Sequence, residues 1–111
     1  MREINIEQLA GALVEGAAVI DVRETTEYAA AHIPGAVGIP MGRLTSQLDE
    51  LDELDRTSPV HLVCASGNRS AAMADFQLAQ GFDAVNVVGG TSAWMRSGRP
   101  VVRGVETGAT R

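Results

Sequence analysis

The sequence has little cysteine, no long apolar run and few basic residues. Cys64 is the only cysteine among 111 residues, so the chain can form neither an internal disulfide nor a dithiol redox cycle of its own. Because a protein without disulfides suits a reducing compartment, we expect a cytoplasmic location. No apolar run approaches the length of a membrane span, and residues 1–4 do not open a signal peptide.

Acidic residues outnumber basic ones. Nine lysines and arginines stand against 14 aspartates and glutamates, which gives a formal net charge of −5. An acidic surface attracts neither nucleic acid nor an anionic membrane, so we expect neither as a partner. The two histidines and the cysteine are spread along the chain, and this spacing predicts no metal site.

Helix and strand patterns alternate along the chain. Asn5 and Gln8 have the spacing of a capping box, which predicts a first helix that ends at Gly16. Further helices are predicted at 26–31, around the leucines at 44, 48 and 51, at 70–80 and at 91–97. Short strands are predicted at 18–22, 36–39, 60–63 and 84–88. This alternation with short connections indicates an α/β domain with a parallel sheet covered on both faces.

The only cysteine lies where a buried strand should turn into a helix. It follows Val60–Val63 and begins the segment Cys64-Ala65-Ser66-Gly67-Asn68-Arg69-Ser70. Glycine lets successive backbone N–H groups point inward, and the positive end of a helix favours a thiolate. An isolated cysteine is more often a small buried apolar residue. The polar, glycine-containing segment after it favours an activated sulfur in an anion-binding cradle.

A series of short motifs runs along most of the chain in a fixed order. The motifs are Asp21-Val22-Arg23, Glu27-Tyr28, His32-Ile33-Pro34-Gly35-Ala36, the segment Cys64–Ser70, Gly89-Gly90 with Trp94, and Gly98-Arg99-Pro100-Val101. This series resembles the single-domain rhodanese (sulfurtransferase) family up to about residue 102. The resemblance implies a rhodanese-like three-layer domain over residues 1–102, with a central, mainly parallel five-stranded sheet between helices. Residues 103–111 have little to bury and are predicted to be a short flexible tail.

The resemblance also implies the chemistry. Cys64 would take a sulfane sulfur from an anionic donor such as thiosulfate and hold it as a persulfide, which cyanide or a thiol then removes. The anion cradle would be formed by Ala65, Ser66, Gly67, Asn68 and Arg69. No metal or organic cofactor is implied. The alternative is a persulfide relay, a sulfur-carrier module whose donor and acceptor are proteins.

The length of the cysteine loop separates this chemistry from that of related enzymes. Phosphatases and arsenate reductases with a similar fold use a loop one residue longer, which fits a tetrahedral oxyanion. Here four residues separate Cys64 from Arg69, which matches the shorter sulfur-handling loop. Ala65 stands where many thiosulfate-type loops carry a basic residue, so the donor is left open. Arg43 and Arg96 are candidates to supply the missing charge.

Five polar residues are expected to support the cysteine. Arg69 should hold the anionic donor, since a cation at a helix N-terminus otherwise opposes the helix dipole. Ser70 is expected to cap that helix. Asp21 lies near the end of another strand and is expected to act mainly as scaffold; the alternative is that it positions the cysteine loop. Arg23 and Glu27 are spaced to pair with each other and brace the segment that enters the site.

Two other side chains are given structural roles. His32, before Ile-Pro-Gly, is expected to be a satisfied structural histidine rather than a base. Trp94 is expected to pack the last helix against the sheet. The leucines of residues 44–51 are expected in the core, and the acidic residues around them in solvent.

Overall fold

The computed structural model describes residues 1–48 and 55–107. Strands and helices alternate through this part of the chain. In order they are β1 (Arg2–Ile4), α1 (Ile6–Val14), β2 (Ala18–Asp21), α2 (Thr25–Ala30), β3 (Val37–Gly38), α3 (Met41–Ser46), β4 (Val60–Val63), α4 (Asn68–Ala79), β5 (Ala84–Val87) and α5 (Gly90–Arg96). None of these helices is long and apolar enough to cross a membrane.

The five strands form one sheet in the order β1-β5-β4-β2-β3, and every neighbouring pair is parallel. The central strand β4 is buried at all four residues. Its register pairs Val63 with Asp21 on one side and Leu62 with Asn86 on the other. The carboxyl ends of three strands therefore meet at one edge of the sheet, where open parallel sheets bind their ligands.

Each face of the sheet is covered by helices and has its own apolar core. One core includes Ile20, Leu44, Leu62, Met73, Ala74 and Phe82, with contributions from α3 and α4. The other includes Leu9, Val19, Ile33, Val63, Val87 and Trp94, with contributions from α1 and α5. The expected three-layer architecture with a five-stranded parallel sheet is therefore confirmed, as is the packing of Trp94 in the core.

Most elements lie where the sequence predicts them, with two kinds of difference. Strand β1 has no counterpart in the predicted pattern, because it is a three-residue edge strand with two exposed residues. Helix α4 begins at Asn68, two residues earlier than predicted. The predicted helix around residues 44–51 is present as α3 up to Ser46. Leu51 and its acidic neighbours at 49, 50, 52 and 53 lie outside the described residues.

Residues 103–106 are exposed, as the sequence predicts, but the segment 103–107 is hydrogen-bonded to the segment 29–35. The Gly104 N–H donates to the Ala29 carbonyl at 2.7 Å, and the Gly35 N–H donates to the Thr107 carbonyl at 2.6 Å. His32 is fully buried. Its ring nitrogens bond the carbonyl oxygens of Tyr28 at 2.8 Å and Glu106 at 2.6 Å, as expected for a structural histidine. The domain boundary at 102 and the flexibility of the tail remain predictions.

Candidate active site

The Cys64 sulfur sits at the carboxyl end of the central strand, and the residue is 1% exposed. Gly67 has a φ of 113° and caps α4, and its N–H donates to Sγ at 3.1 Å. The Ser70 hydroxyl lies 3.4 Å from the same sulfur. The backbone N–H groups of Ser66 and Ser70 also act on the sulfur and lower the pKa of the thiol. The chain thus turns its donors toward one sulfur atom, while Asn68 is exposed at the start of α4.

Two opposing effects act on the Cys64 thiol. Burial raises its pKa, because a thiolate is poorly solvated away from water. Hydrogen bonds from the Ser70 hydroxyl and from the N–H groups of Ser70, Gly67 and Ser66 favour the thiolate, and together they outweigh burial. The pKa of Cys64 is therefore lowered from its ordinary value, and the nucleophilic form is easier to reach.

The start of α5 holds the cradle in shape. The N–H groups of Thr91 and Ser92 donate to the carbonyl oxygens of Cys64 and Ala65, each at 2.9 Å. Gly90, the residue before them, has a φ of +57°, and a Cβ there would overlap the Cys64 carbonyl oxygen and lie 2.8 Å from that of Ala65. These bonds direct the loop's carbonyl oxygens at α5, which leaves its N–H groups free to face the sulfur.

The charged side chains around the loop pair differently from the prediction. Arg69 forms a two-pronged ion pair with Glu27, with Nη1 to Oε1 at 2.7 Å and Nη2 to Oε2 at 2.9 Å. This pair lowers the pKa of Glu27 from 4.5 to about 2, and it raises the pKa of Arg69. The predicted pairing of Arg23 with Glu27 is therefore wrong.

Arg23 pairs instead with Asp21. Its Nη2 lies 2.8 Å from Oδ2 of Asp21 and also donates to the Ala31 carbonyl at 2.7 Å. Both charged residues are buried, Asp21 completely. Since a buried charge needs a partner, Arg23 is held to the nearer carboxylate and not to Glu27. Asp21 is the last residue of β2 and pairs in register with Val63, the residue before Cys64, so this ion pair lies beside the start of the cysteine loop.

Ser70 does not cap the helix, and that prediction is wrong. It is the third residue of α4, and the helix is capped by Gly67 with no side-chain hydrogen bond. The left-handed backbone of Gly67 turns the chain into the helix earlier than expected. The hydroxyl of Ser70 is thereby placed inside the fold, where it donates to Oδ1 of Asn86 at 2.6 Å and lies next to the sulfur.

A sequence comparison identifies the family of this site. Residues 5–97 match the model of the rhodanese-like domain. The chain belongs to the rhodanese-like domain family.

Relatives of this rhodanese-like domain include two Bacillus subtilis proteins. One, provisionally named sulfur carrier protein YrkF, is 44% identical over 77 residues, which are 68% of this chain and 40% of that protein. The chain thus spans less than half of that relative. The other, provisionally named sulfurtransferase YtwF, is 39% identical over 82 residues, which are 74% of this chain and 77% of that protein.

Solved structures of rhodanese-like proteins share the fold. The rhodanese-related protein of Thermoplasma volcanium has a TM-score of 0.83 and 34% identity, with 96% of this chain and all of that chain covered. A rhodanese-like domain protein of Staphylococcus aureus has a TM-score of 0.76 and 38% identity, covering 85% and 91% of the two chains. The solved structures thus show that the fold of this chain is that of the family its sequence matches.

Two residues of this rhodanese-like site, Asn86 and Glu3, were not singled out from the sequence, and Gly90 was named in a motif without a place at the site. Asn86 is 2% exposed in β5. Its Nδ2 donates to Oε2 of Glu3 at 2.9 Å and to the carbonyl of Gly67 at 3.3 Å. Gly90 lies against the cysteine loop. The available signal for Asn86 was a polar residue inside the apolar run 84–88, whereas nothing in β1 marked Glu3.

Proposed function

We propose that this chain is a sulfurtransferase that carries sulfane sulfur as a persulfide on Cys64. The observation that carries this proposal is the buried Sγ faced by the Gly67 N–H at 3.1 Å and by the Ser70 hydroxyl. Such donors stabilise negative charge on sulfur without any cofactor. The family, and the names of the two relatives, support sulfur transfer in general.

The first half-reaction loads the sulfur. The Cys64 thiolate attacks the outer sulfur of thiosulfate, an S–S bond forms, and the bond to the sulfonate sulfur breaks. Sulfite leaves with the electron pair of the broken bond, and the remaining negative charge lies on the outer sulfur of the Cys64 persulfide. The cradle of N–H groups formed by residues 65–69 is the proposed site for this charge.

The second half-reaction returns the enzyme to its starting state. Cyanide or a thiolate attacks the outer sulfur, the S–S bond to Cys64 breaks, and Sγ takes back the electron pair as a thiolate. The products are thiocyanate or a new persulfide. Because donor and acceptor react with the same sulfur in turn, ping-pong kinetics should follow. A reducing compartment such as the cytoplasm fits an unpaired thiol.

One observation favours a second candidate, a relay that receives sulfur from a persulfide. The charge of Arg69 is matched by Glu27, and Ala65 brings no charge of its own. The thiolate and a thiosulfate dianion therefore repel each other with no free cation from this loop to offset the repulsion. A cysteine persulfide on a protein carries less charge and meets less repulsion.

Intact mass separates these candidates. Purified protein is incubated with thiosulfate or with the persulfide form of a cysteine desulfurase, and then with cyanide. A gain of one sulfur that cyanide removes, and that Cys64→Ser lacks, supports persulfide chemistry at Cys64. Loading by thiosulfate favours the small-molecule enzyme, and loading only by the desulfurase favours the relay. Full sulfur transfer by Cys64→Ser would refute the proposal.

A further inference from the structure

A chain of hydrogen bonds leads from the reactive sulfur to the edge strand. Sγ of Cys64 is 3.4 Å from the Ser70 hydroxyl oxygen, which is 2.6 Å from Oδ1 of Asn86. Nδ2 of Asn86 then donates to Oε2 of Glu3 at 2.9 Å. Ser70 and Asn86 are buried, whereas Glu3 is exposed on β1. Asn86 and Glu3 have no part in the reaction described so far.

Ser70 has one hydroxyl hydrogen and two acceptors within reach, the sulfur and the Asn86 amide oxygen. The amide cannot turn over to offer its NH₂ group, because that group is already engaged by Glu3 and by the Gly67 carbonyl. Oδ1 therefore stays an acceptor. The hydrogen can bond the sulfur or the amide oxygen, and the charge on the sulfur decides which bond is stronger.

We propose that Asn86 is a positioning residue that accepts the Ser70 hydrogen when Cys64 carries a persulfide, and thereby stabilises the loaded state. The inference rests on the proposed sulfur transfer. In the thiolate, the full negative charge lies on Sγ, and Ser70 donates to it. In the persulfide, the charge lies on the outer sulfur and Sγ becomes a weak acceptor. Ser70 then donates to Asn86, so the buried hydroxyl keeps a partner in both states.

The charged groups around the sulfur stay the same during this exchange. Arg69 and Glu27 form one ion pair and Asp21 and Arg23 another, while Glu3 lies at the far end of the hydrogen-bond chain. These charged groups keep the same partners whether Cys64 is a thiolate or a persulfide. The Ser70 hydrogen is the group that changes its partner when sulfur is added to Cys64.

The test uses Asn86→Leu, which removes the acceptor and nearly keeps the volume. With no competing acceptor, Ser70 donates to the thiolate alone, so Cys64 should be alkylated at a lower pH than in the wild type. Loading should weaken, by about tenfold in the equilibrium ratio of persulfide to thiol, since the loaded state leaves a buried hydroxyl unpaired. The ratio is measured by intact mass in a fixed mixture of a small persulfide and its thiol.

Asn86→Leu should make the thiolate easier to form but the persulfide harder to form, and this combination distinguishes the proposed role from a general loosening of the cradle. A loosened cradle would raise the pH needed for alkylation and weaken loading together, and that result would overturn the proposal. In a Ser70→Ala background, Asn86→Leu should change neither quantity, because no hydrogen is left to exchange. A further loss of loading in that background would also overturn it.

A second variant keeps the test decisive if Asn86→Leu fails to fold. Glu3→Ala removes only the exposed anchor of the Asn86 amide, and it should weaken loading about twofold. Glu7→Ala makes the same charge change and should leave loading as in the wild type. In that case an unchanged ratio in Glu3→Ala refutes the role of Asn86. If no donor loads even the wild type, the proposed function fails, whereas the alkylation profiles still report whether Asn86 competes for Ser70.

Discussion

Gly90→Ala is expected to damage both the stability and the reactivity of this domain. The residue has a φ of +57°, and its missing Cβ leaves the space that the Cys64 and Ala65 carbonyl oxygens occupy. An alanine there must adopt a left-handed backbone, and it must also push α5 away from the cysteine loop. The two N–H···O bonds from Thr91 and Ser92 would then lengthen or break.

The expected loss of stability follows from these contacts. The left-handed conformation of a residue with a Cβ costs about 1–2 kcal/mol. Two weakened hydrogen bonds, at about 1 kcal/mol each, bring the total to about 3–4 kcal/mol. Domains of this kind are stable by about 5–15 kcal/mol, so the variant should fold but with a much reduced margin.

The comparison that isolates the overlap is Gly98→Ala. Gly98 also has a positive φ, +81°, but a Cβ there meets nothing within 4 Å. Urea unfolding should therefore show about 1–2 kcal/mol lost at Gly98 and about 2 kcal/mol more at Gly90. The pH needed for a small alkylating agent to react with Cys64 should be higher in Gly90→Ala alone, because its displaced cradle stabilises the thiolate less. Equal losses at the two glycines would refute the argument that Gly90 makes room for the loop.

Four further predictions concern three side chains. Glu27→Gln frees the charge of Arg69, so loading by thiosulfate should be about three- to tenfold faster at low salt, and the gain should shrink as salt is added. Because the pKa of Glu27 is lowered to about 2, its ion pair stabilises the fold above pH ~4.5, and this stabilisation is lost as the pH falls toward 2. In urea unfolding, the free energy of unfolding of Glu27→Gln should therefore fall less than that of the wild type between pH ~4.5 and 2. Ser70→Ala removes a donor to the thiolate, so alkylation below the pKa of Cys64 should be about tenfold slower. Gln77 is fully buried, and neither of its amide atoms has a hydrogen-bond partner within the described residues; Gln77→Met should raise the free energy of unfolding by about 1–2 kcal/mol.

The thiosulfate prediction has a matched control, and each of the three side chains has a result that would contradict its prediction. Glu15→Gln makes the same charge change at the far end of α1 and should leave thiosulfate loading as it is. An unchanged rate in Glu27→Gln would mean that Arg69 is not neutralised by its partner. Faster alkylation of Ser70→Ala would mean that the hydroxyl disfavours the thiolate. A less stable Gln77→Met would indicate that the amide has a partner such as bound water.

The parts of the fold that the sequence predicts well are those with a continuous apolar signature. Strand β4 lies at residues 60–63 as predicted, because a central parallel strand is buried on both faces and consists of apolar residues with one histidine. Strand β1 has no such signature, since it lies at the edge and is mostly exposed. Its place in the sheet depends on pairing with β5, which is more than 80 residues away in the chain.

The same distinction holds for the site. The contiguous loop 64–70 is readable from the sequence because its glycine, serines and cysteine are neighbours. The ion-pair partners cannot be read from the sequence, because Asp21 and Glu27 are both close enough to Arg23 in the chain to pair with it. Only the fold brings Arg69 to Glu27 and leaves Arg23 with Asp21. The contacts of Asn86 and Gly90 with the loop likewise depend on how distant segments pack.

The position of the only cysteine also makes this domain a reporter of its own unfolding. Cys64 is 1% exposed and is enclosed by the loop, by α4 and by the start of α5. A bulky thiol reagent can therefore reach it only when these parts separate. Labelling rates measured across urea concentrations would show whether the site opens locally or only with the whole sheet. Because the chain has no other thiol, no mutation is needed to read that signal.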